Sequence, residues 1–175
     1  MKTSTIFRTQ WMFLVAVVLL LPLLAGCQEE GLPDEEGAEV SLIRVQDIPG
    51  YASLPLVGSQ WKLIGFVDGK RNRIRLAKPK GGESFTITFQ ETGEIRGHTS
   101  TNAAFGKYSI GEDFELWISD FHNTTEIGEV FDGIYFIELM NKIYSYRISS
   151  KGLALYYDKD LYLLFLPMEK SISVG

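Results

Sequence analysis

Ser84-Phe85-Thr86-Ile87-Thr88-Phe89-Gln90-Glu91-Thr92-Gly93-Glu94-Ile95 is the stretch that decides the fold. Phe85, Ile87 and Phe89 alternate with polar residues, the period-two pattern of a strand with one buried face. Glu91-Thr92-Gly93-Glu94 then reads as a hairpin turn, with Ile95 and Gly97 on the returning strand. Strict alternation on both sides of a tight turn points to an antiparallel sheet with one face on a core.

Working outward, the same grammar recurs. Upstream, Ser59-Gln60-Trp61-Lys62-Leu63-Ile64-Gly65-Phe66 reads as a strand with Trp61, Leu63 and Gly65 on one face. Downstream, further runs lie at Lys107–Ile110, Phe114–Ile118, Ile143–Ser149, Leu153–Tyr157 and Leu161–Leu166. Polar turns at Ser149-Ser150-Lys151-Gly152 and Asp158-Lys159-Asp160 join the last three into a meander. Adjacent Tyr156 and Tyr157 must point to opposite faces of their strand.

Residues 129–141 break the alternation. Val130, Ile134, Ile137 and Met140 recur at helical spacing, widened by Phe131, Phe136 and Leu139, and predict a helix. Gly133 weakens it, and Tyr135-Phe136-Ile137 also suits a strand. Glu126 and Glu129 suit a helix N-terminus. The expected fold is α+β, mostly β, with one helix plugging or flanking the sheet.

Composition narrows the class. The 175 residues hold one cysteine and two histidines, which excludes an internal disulfide framework and a self-sufficient tetrahedral zinc site. A hydrophobic fraction of 45% argues against a disordered chain, and the length suits one domain. A net charge of −5 gives no electrostatic reason to bind nucleic acid.

The N-terminus carries Lys2 and Arg8, then an apolar run from Trp11 to Leu24. That is the charged region and apolar region of a signal peptide, shorter than the roughly 20 apolar residues of a membrane span. The run ends in Leu24-Ala25-Gly26-Cys27, which resembles the bacterial lipobox. The resemblance implies cleavage after residue 26, acylation of Cys27 on sulfur, and a membrane anchor made of lipid. The plainer alternative is an ordinary signal peptide with an incidental cysteine.

Residues 27–53 read as an acidic tether, with Glu29, Glu30, Asp34, Glu35, Glu36 and Glu39 among Gly31, Pro33 and Gly37. As a flexible coil it would span about 28 Å on average. Acids directly after the cysteine resemble the surface-export signal of Bacteroidetes lipoproteins. The expected location is thus the outer membrane, facing the cell surface, with the periplasmic face as the alternative.

Leu56-Val57-Gly58-Ser59-Gln60-Trp61-Lys62-Leu63 and Gly97-His98-Thr99-Ser100-Thr101-Asn102-Ala103-Ala104-Phe105-Gly106-Lys107-Tyr108 resemble the META-domain family, which includes heat-shock HslJ-type bacterial lipoproteins. Gly97, Asn102, Gly106 and Tyr108 fall on the family's pattern. Glu115-Leu116-Trp117-Ile118, Thr124-Thr125, Tyr146-Arg147-Ile148 and Gly152-Leu153-Ala154-Leu155 follow it downstream. The resemblance spans 54–170 and implies an antiparallel barrel-like or two-sheet domain, without a cofactor or defined activity, and a part in envelope stress tolerance. Thr101 stands where a cysteine is usual, Ser100 where glycine is frequent, and the second common cysteine is missing, so any cysteine-pair role is absent. Physically, Asn102 can close a turn through its side chain, Gly106 permits positive φ, and Tyr108 can bury its ring while its hydroxyl holds a loop.

Catalytic chemistry finds little support. His98 and His122 are the candidate proton-transfer side chains, and Asp120 could orient His122. No nucleophile elbow, His-Glu-x-x-His or cysteine nucleophile accompanies them, so the expectation is no catalytic residue and no enzyme. Glu112-Asp113 and Asp158/Asp160 lack calcium-loop spacing and read as solvated turn acids, so no metal site is expected. Asn123-Thr124-Thr125 matches a glycosylation acceptor, a modification not expected beside a lipobox.

Lys70, Arg71, Arg73, Arg75, Lys78 and Lys80 form a run with no acid among them. One reading is an anionic contact with a glycan, lipopolysaccharide phosphates or the acidic patch of an envelope protein. The preferred reading is a solvated hairpin whose charges protect an edge strand. Trp61, Trp117, Tyr135, Tyr144, Tyr146, Tyr156, Tyr157 and Tyr162 leave open a lipocalin-like carrier of a small apolar guest.

Overall fold

The computed structural model describes residues 32–124 and 127–168. The signal segment, Cys27 with the start of the tether, and Thr125 and Glu126 lie outside the described residues. The strands are β1 (Glu39–Ser41), β2 (Gln60–Asp68), β3 (Arg73–Leu76), β4 (Thr86–Phe89) and β5 (Glu94–His98). They continue with β6 (Ala103–Ile110), β7 (Leu116–Asn123), β8 (Ser145–Ser149), β9 (Gly152–Tyr156) and β10 (Leu161–Pro167). One α-helix, α1 (Gly133–Met140), sits between β7 and β8 among the described residues.

The strands form one curled antiparallel sheet in the order β7-β6-β5-β4-β2-β10-β9-β8. Its two ends meet at one point, where Glu115 bridges Ser145 and the Leu116 amide donates to the Tyr144 carbonyl at 3.0 Å. The deciding hairpin is present: Gly93 takes a φ of 82°, and β4 pairs with β5 from Thr86 opposite His98 to Phe89 opposite Ile95. Phe85, Ile87, Phe89 and Ile95 are all buried. The C-terminal meander β8-β9-β10 is also present.

Alternation in the first long strand holds only as far as Leu63. β10 pairs Phe165 with Leu63 and Leu164 with Gly65, so Ile64 is an extra residue in β2. A bulge of this kind reverses which side chains face in. Trp61, Leu63 and Phe66 accordingly join the inner core, whereas Ile64 and Val67 join a second core on the outer face. One edge of β2 is also shared, with β4 on Gln60–Lys62 and β3 on Gly65–Asp68.

That second core corrects the expected tether. β1 pairs with β3 from Glu39 opposite Arg75 to Ser41 opposite Arg73, and Leu42 and Val45 are buried against Val67, Ile74, Leu76 and Leu164. Composition made residues 32–45 look solvated, yet their few apolar side chains are spaced to cover the sheet's outer face, whereas 46–53 hold no buried residue. The run 70–80 is corrected similarly: Arg73–Leu76 is a strand whose free edge β1 covers, with no exposed edge to protect.

The helix is shorter than its sequence span, and its buried face differs from the expected stripe. Gly133, Phe136, Leu139 and Met140 are buried, while Val130 and Ile134 are exposed. The helix begins only at Gly133, where a side chain would collide with Glu129 and Ser100, so that bare residue turns inward. Phe136 then fills the hollow of the sheet. Its ring meets Phe85 edge-on at 5.2 Å, Phe121 at 5.6 Å and Phe165 at 6.3 Å. The space that a carrier's guest would need is thereby occupied by the protein's own side chains.

Both cores should register in stability. Leu42→Ala is expected to cost about 2–4 kcal/mol and Phe136→Ala about 3–5 kcal/mol in urea unfolding. An unchanged midpoint for Leu42→Ala would restore the tether reading of this segment.

Candidate functional site

The family-like motif lies on the β5–β6 turn, and its residues converge on a side chain the motif does not contain. Glu129 reaches this turn from the loop before α1. Its Oε1 accepts from Thr99 Oγ1 at 2.6 Å, Asn102 Nδ2 at 2.6 Å and Asn123 Nδ2 at 2.5 Å. Its Oε2 accepts from the Ser100 amide at 3.2 Å and from the Ser100 hydroxyl. A carboxylate offers about four lone-pair directions. Five donors therefore saturate it, and no lone pair remains for a metal or for proton transfer. Sequence placed Glu129 at a helix N-terminus; it lies ahead of the helix and bonds sideways instead.

Asn102 extends the clasp. Its Nδ2 donates to the Ile127 carbonyl at 2.7 Å and its Oδ1 accepts from the Ile127 amide at 3.1 Å. Thr101 donates to the Gly128 carbonyl at 3.3 Å, and the Val130 amide donates to Ser100 Oγ at 3.1 Å. Residues 127–130 are thus held by side chains in the way a neighbouring strand would hold them. Asn123, the potential glycosylation acceptor, uses its amide nitrogen inside this network.

The other motif positions have steric or packing reasons. A Cβ at Gly97 would overlap the Thr86 carbonyl across the β4–β5 ladder. A Cβ at Gly106 would stand 2.9 Å from the Phe121 ring, so close approach rather than positive φ requires glycine there. Tyr108 stacks edge-on against Phe89 at 5.0 Å, and its hydroxyl donates to the Gln90 carbonyl at 2.6 Å. Burial, and secondarily Glu91, raise its pKa above the ordinary phenol value.

The histidines are not brought together. His98 closes β5 opposite Thr86 and Ala103. His122 is exposed beside Phe105, its Nδ1 lying 2.6 Å from the Asp120 carbonyl, while the Asp120 carboxylate faces Lys107 at 3.5 Å. The carboxylate–imidazole pairing suggested by sequence is therefore not formed. An open groove of about 740 Å³ runs past Phe105, Gly106, Phe121 and His122, where Asp120 takes a φ of 53° and the β6–β7 register shifts. Its charged rim pairs internally, Arg96 with Glu94 at 3.2 Å and Lys107 with Asp120. Asp113 and Phe114 adopt positive φ in the β6–β7 turn, and Asp158 accepts from the Lys159 amide in the β9–β10 turn. Among the described residues no three His, Cys, Asp or Glu side chains are grouped to hold a metal, and no helix is long and apolar enough to cross a membrane.

The basic run is largely engaged within the molecule. Arg75 lies 4.3 Å above the Phe66 ring and donates to both carboxylate oxygens of Asp132, at 2.9 and 3.1 Å. Asp132 also accepts from the Lys78 amide at 2.9 Å. Arg73 meets Glu39 at 3.4 Å and Arg71 meets Asp68 at 3.5 Å. Lys80 donates from Nζ to the Pro33 carbonyl at 2.6 Å and from its amide to Glu36 at 2.7 Å. Lys70 is exposed in the β2–β3 turn.

Burial pushes the Glu129 carboxyl up, but bonds from Asn102, Ser100, Thr99 and Asn123 outweigh it and hold its pKa below the ordinary 4.5. A folded-state pKa below the unfolded one adds stability above that ordinary value, lost as pH falls through the folded value. Glu129→Gln places an amide among donors and is expected to cost about 2 kcal/mol at neutral pH. It should also flatten the acid limb of a stability-versus-pH curve measured by urea unfolding. A variant with wild-type stability and an unchanged acid limb would show that the clasp is not held by charge.

Residues 54–170 match the META domain family. No curated protein matches the chain. An NMR structure of a protein from Burkholderia xenovorans is similar at 17% identity and a TM-score of 0.53, covering 79% of this chain and 100% of that one. A crystal structure of a DUF4847 family protein from Bacteroides vulgatus is 21% identical, with a TM-score of 0.47 and coverage of 69% and 96%. With the motif turn, strands β2 to β10 and helix α1 all inside the matched span, the chain belongs to the META-domain family.

Proposed function

We propose that the protein is a non-catalytic, lipid-anchored envelope protein of the META type that contributes to envelope stress tolerance. The observation that carries this is Leu24-Ala25-Gly26-Cys27, the only cysteine of the chain directly after the apolar run and ahead of a META domain. A thiol at that position has a chemical use as the acceptor of a lipid, and several acyl chains would anchor a domain firmly. The saturation of Glu129 and the separation of His98 from His122 support a role without chemistry at these groups. Filling of the sheet's hollow by Phe136 argues for the same reading over a carrier. The acids after Cys27 favour the outer membrane and the cell surface over the periplasmic face.

The test is metabolic labelling with a palmitate analogue in a bacterium that processes lipoproteins. The wild-type chain should take the label and sediment with membranes, and Cys27→Ala should lose both properties. Protease added to intact cells should then degrade the anchored protein. An unlabelled wild type, or a Cys27→Ala variant equally membrane-bound, would remove the anchor.

A further inference from the structure

Among the described residues, Ile43 and Phe105 apart, two groups of exposed apolar side chains lie at the two ends of the β6–β7 hairpin. At one end are Ile110, Phe114, Trp117 and Tyr144. At the other, Val130, Phe131 and Ile134 are 40%, 72% and 61% exposed. The second group lies beside the start of β6, because Asn102 and Thr101 hold residues 127 and 128 there. A strand of eight residues separates the two ends by about 25 Å.

Phe131 is held outward. It takes a left-handed φ of 46°, a conformation that a bulky residue adopts only when its surroundings enforce it. They do: the Asp132 amide donates to the Lys78 carbonyl at 3.2 Å, and Gly133 to the Val130 carbonyl at 3.0 Å. With Asp132 fixed on Arg75 and Glu129 in its clasp, the backbone on both sides is anchored, and the ring between them is left in solvent.

The first described residues of the N-terminal segment lie at this end. Leu32 packs on the outer core, and Pro33 and Glu36 bond to Lys80, two residues from the Lys78 that bonds to Asp132. Leu32 follows Cys27 by five positions, a reach of at most about 17 Å. A lipid at Cys27 would thus keep this end of the domain against the bilayer.

We propose that Val130, Phe131 and Ile134 dip into the lipid surface on which Cys27 is anchored, so that the protein lies on the membrane in a fixed orientation. The proposal rests on the lipid-anchor reading. Asp34, Glu35 and Glu36 stand at the same end as Lys78 and Lys80, so attraction to anionic headgroups does not carry the contact. Apolar burial carries it, with the loop about 5–10 Å into the boundary between headgroups and acyl chains.

The test uses the protein purified from bacterial membranes, its acylation read by intact mass, in vesicles of phosphatidylcholine with or without bromine on the acyl chains. Trp11 leaves with the signal segment, so the wild type reports from buried Trp61 and from Trp117 at the far end. Phe131→Trp should gain emission that brominated lipid largely removes, with a blue shift and no change at about 1 M salt. Wild-type emission should be unaffected by bromine. Ile134→Trp provides a second reporter on the same surface. Acylated protein with both added tryptophans unquenched would overturn the docking surface and leave the anchor standing. Quenching of the wild type through Trp117 would overturn it by placing the opposite end in lipid. An unacylated mass would remove the anchor, and the docking surface with it.

Discussion

A sheet that curls encloses a hollow, and the architecture depends on that hollow being filled by Phe136. The helix bearing it has eight residues, too few to be stable in water unaided. Its place is set by packing and by three polar clamps. Glu129 ties the approaching loop to the β5–β6 turn. Asp132 ties the helix start to Arg75 and Lys78 on the outer layer. At the far end, Asn141 accepts from the Phe121 amide at 2.9 Å and donates to its carbonyl at 2.8 Å. That carboxamide completes the ladder of β7 where the strand bulges. Each clamp matches charge or amide donors to backbone groups that would otherwise lose their partners.

The family-like motif is the socket of a clasp. The two positions where the chain departs from the common pattern, Ser100 and Thr101, both supply hydroxyls to it. Ser100 donates to Glu129 while accepting from Val130, and Thr101 holds Gly128. The socket is therefore complete without a cysteine. The same geometry removes Glu129 from acid–base chemistry, because a carboxylate surrounded by donors is stabilised as the anion and has no vacant direction.

Charge is managed in a similar local way. A run of six cations looks like a surface for anions in one dimension. In three dimensions, β1 brings Glu39 beside Arg73, the N-terminal segment brings Glu36 beside Lys80, and the helix brings Asp132 beside Arg75. The acids Glu36, Glu39 and Asp132 and the basic run are complementary to each other. The apolar loop at Phe131 remains outside this neutralisation, and it is what the domain presents on that side.

Much of this was legible from residues alone. Phe85, Ile87 and Phe89 announced a buried strand, Glu91–Glu94 its turn, the last three apolar runs a meander, and 129–141 a helix. Local periodicity carries those facts because neighbouring side chains must share one solvent boundary. The glycine, asparagine and tyrosine positions of the motif could likewise be picked out, though not what they touch. Glu129 was visible only as an acid near a helix, since its donors come from residues up to 30 positions away.

What the sequence by itself determined is therefore the antiparallel, mostly β character of the domain, its helix and its family. Alternation, turn chemistry and motif spacing are properties of adjacent residues. Only the tertiary structure decided the rest. The Ile64 bulge split one core into two, and the second core drew residues 32–45 onto the sheet. The inward face of the helix was chosen by Gly133, because a side chain there would strike Glu129 and Ser100. Each of these outcomes depends on which distant strand lies alongside, and pairing across the sheet is set by the summed burial of both partners.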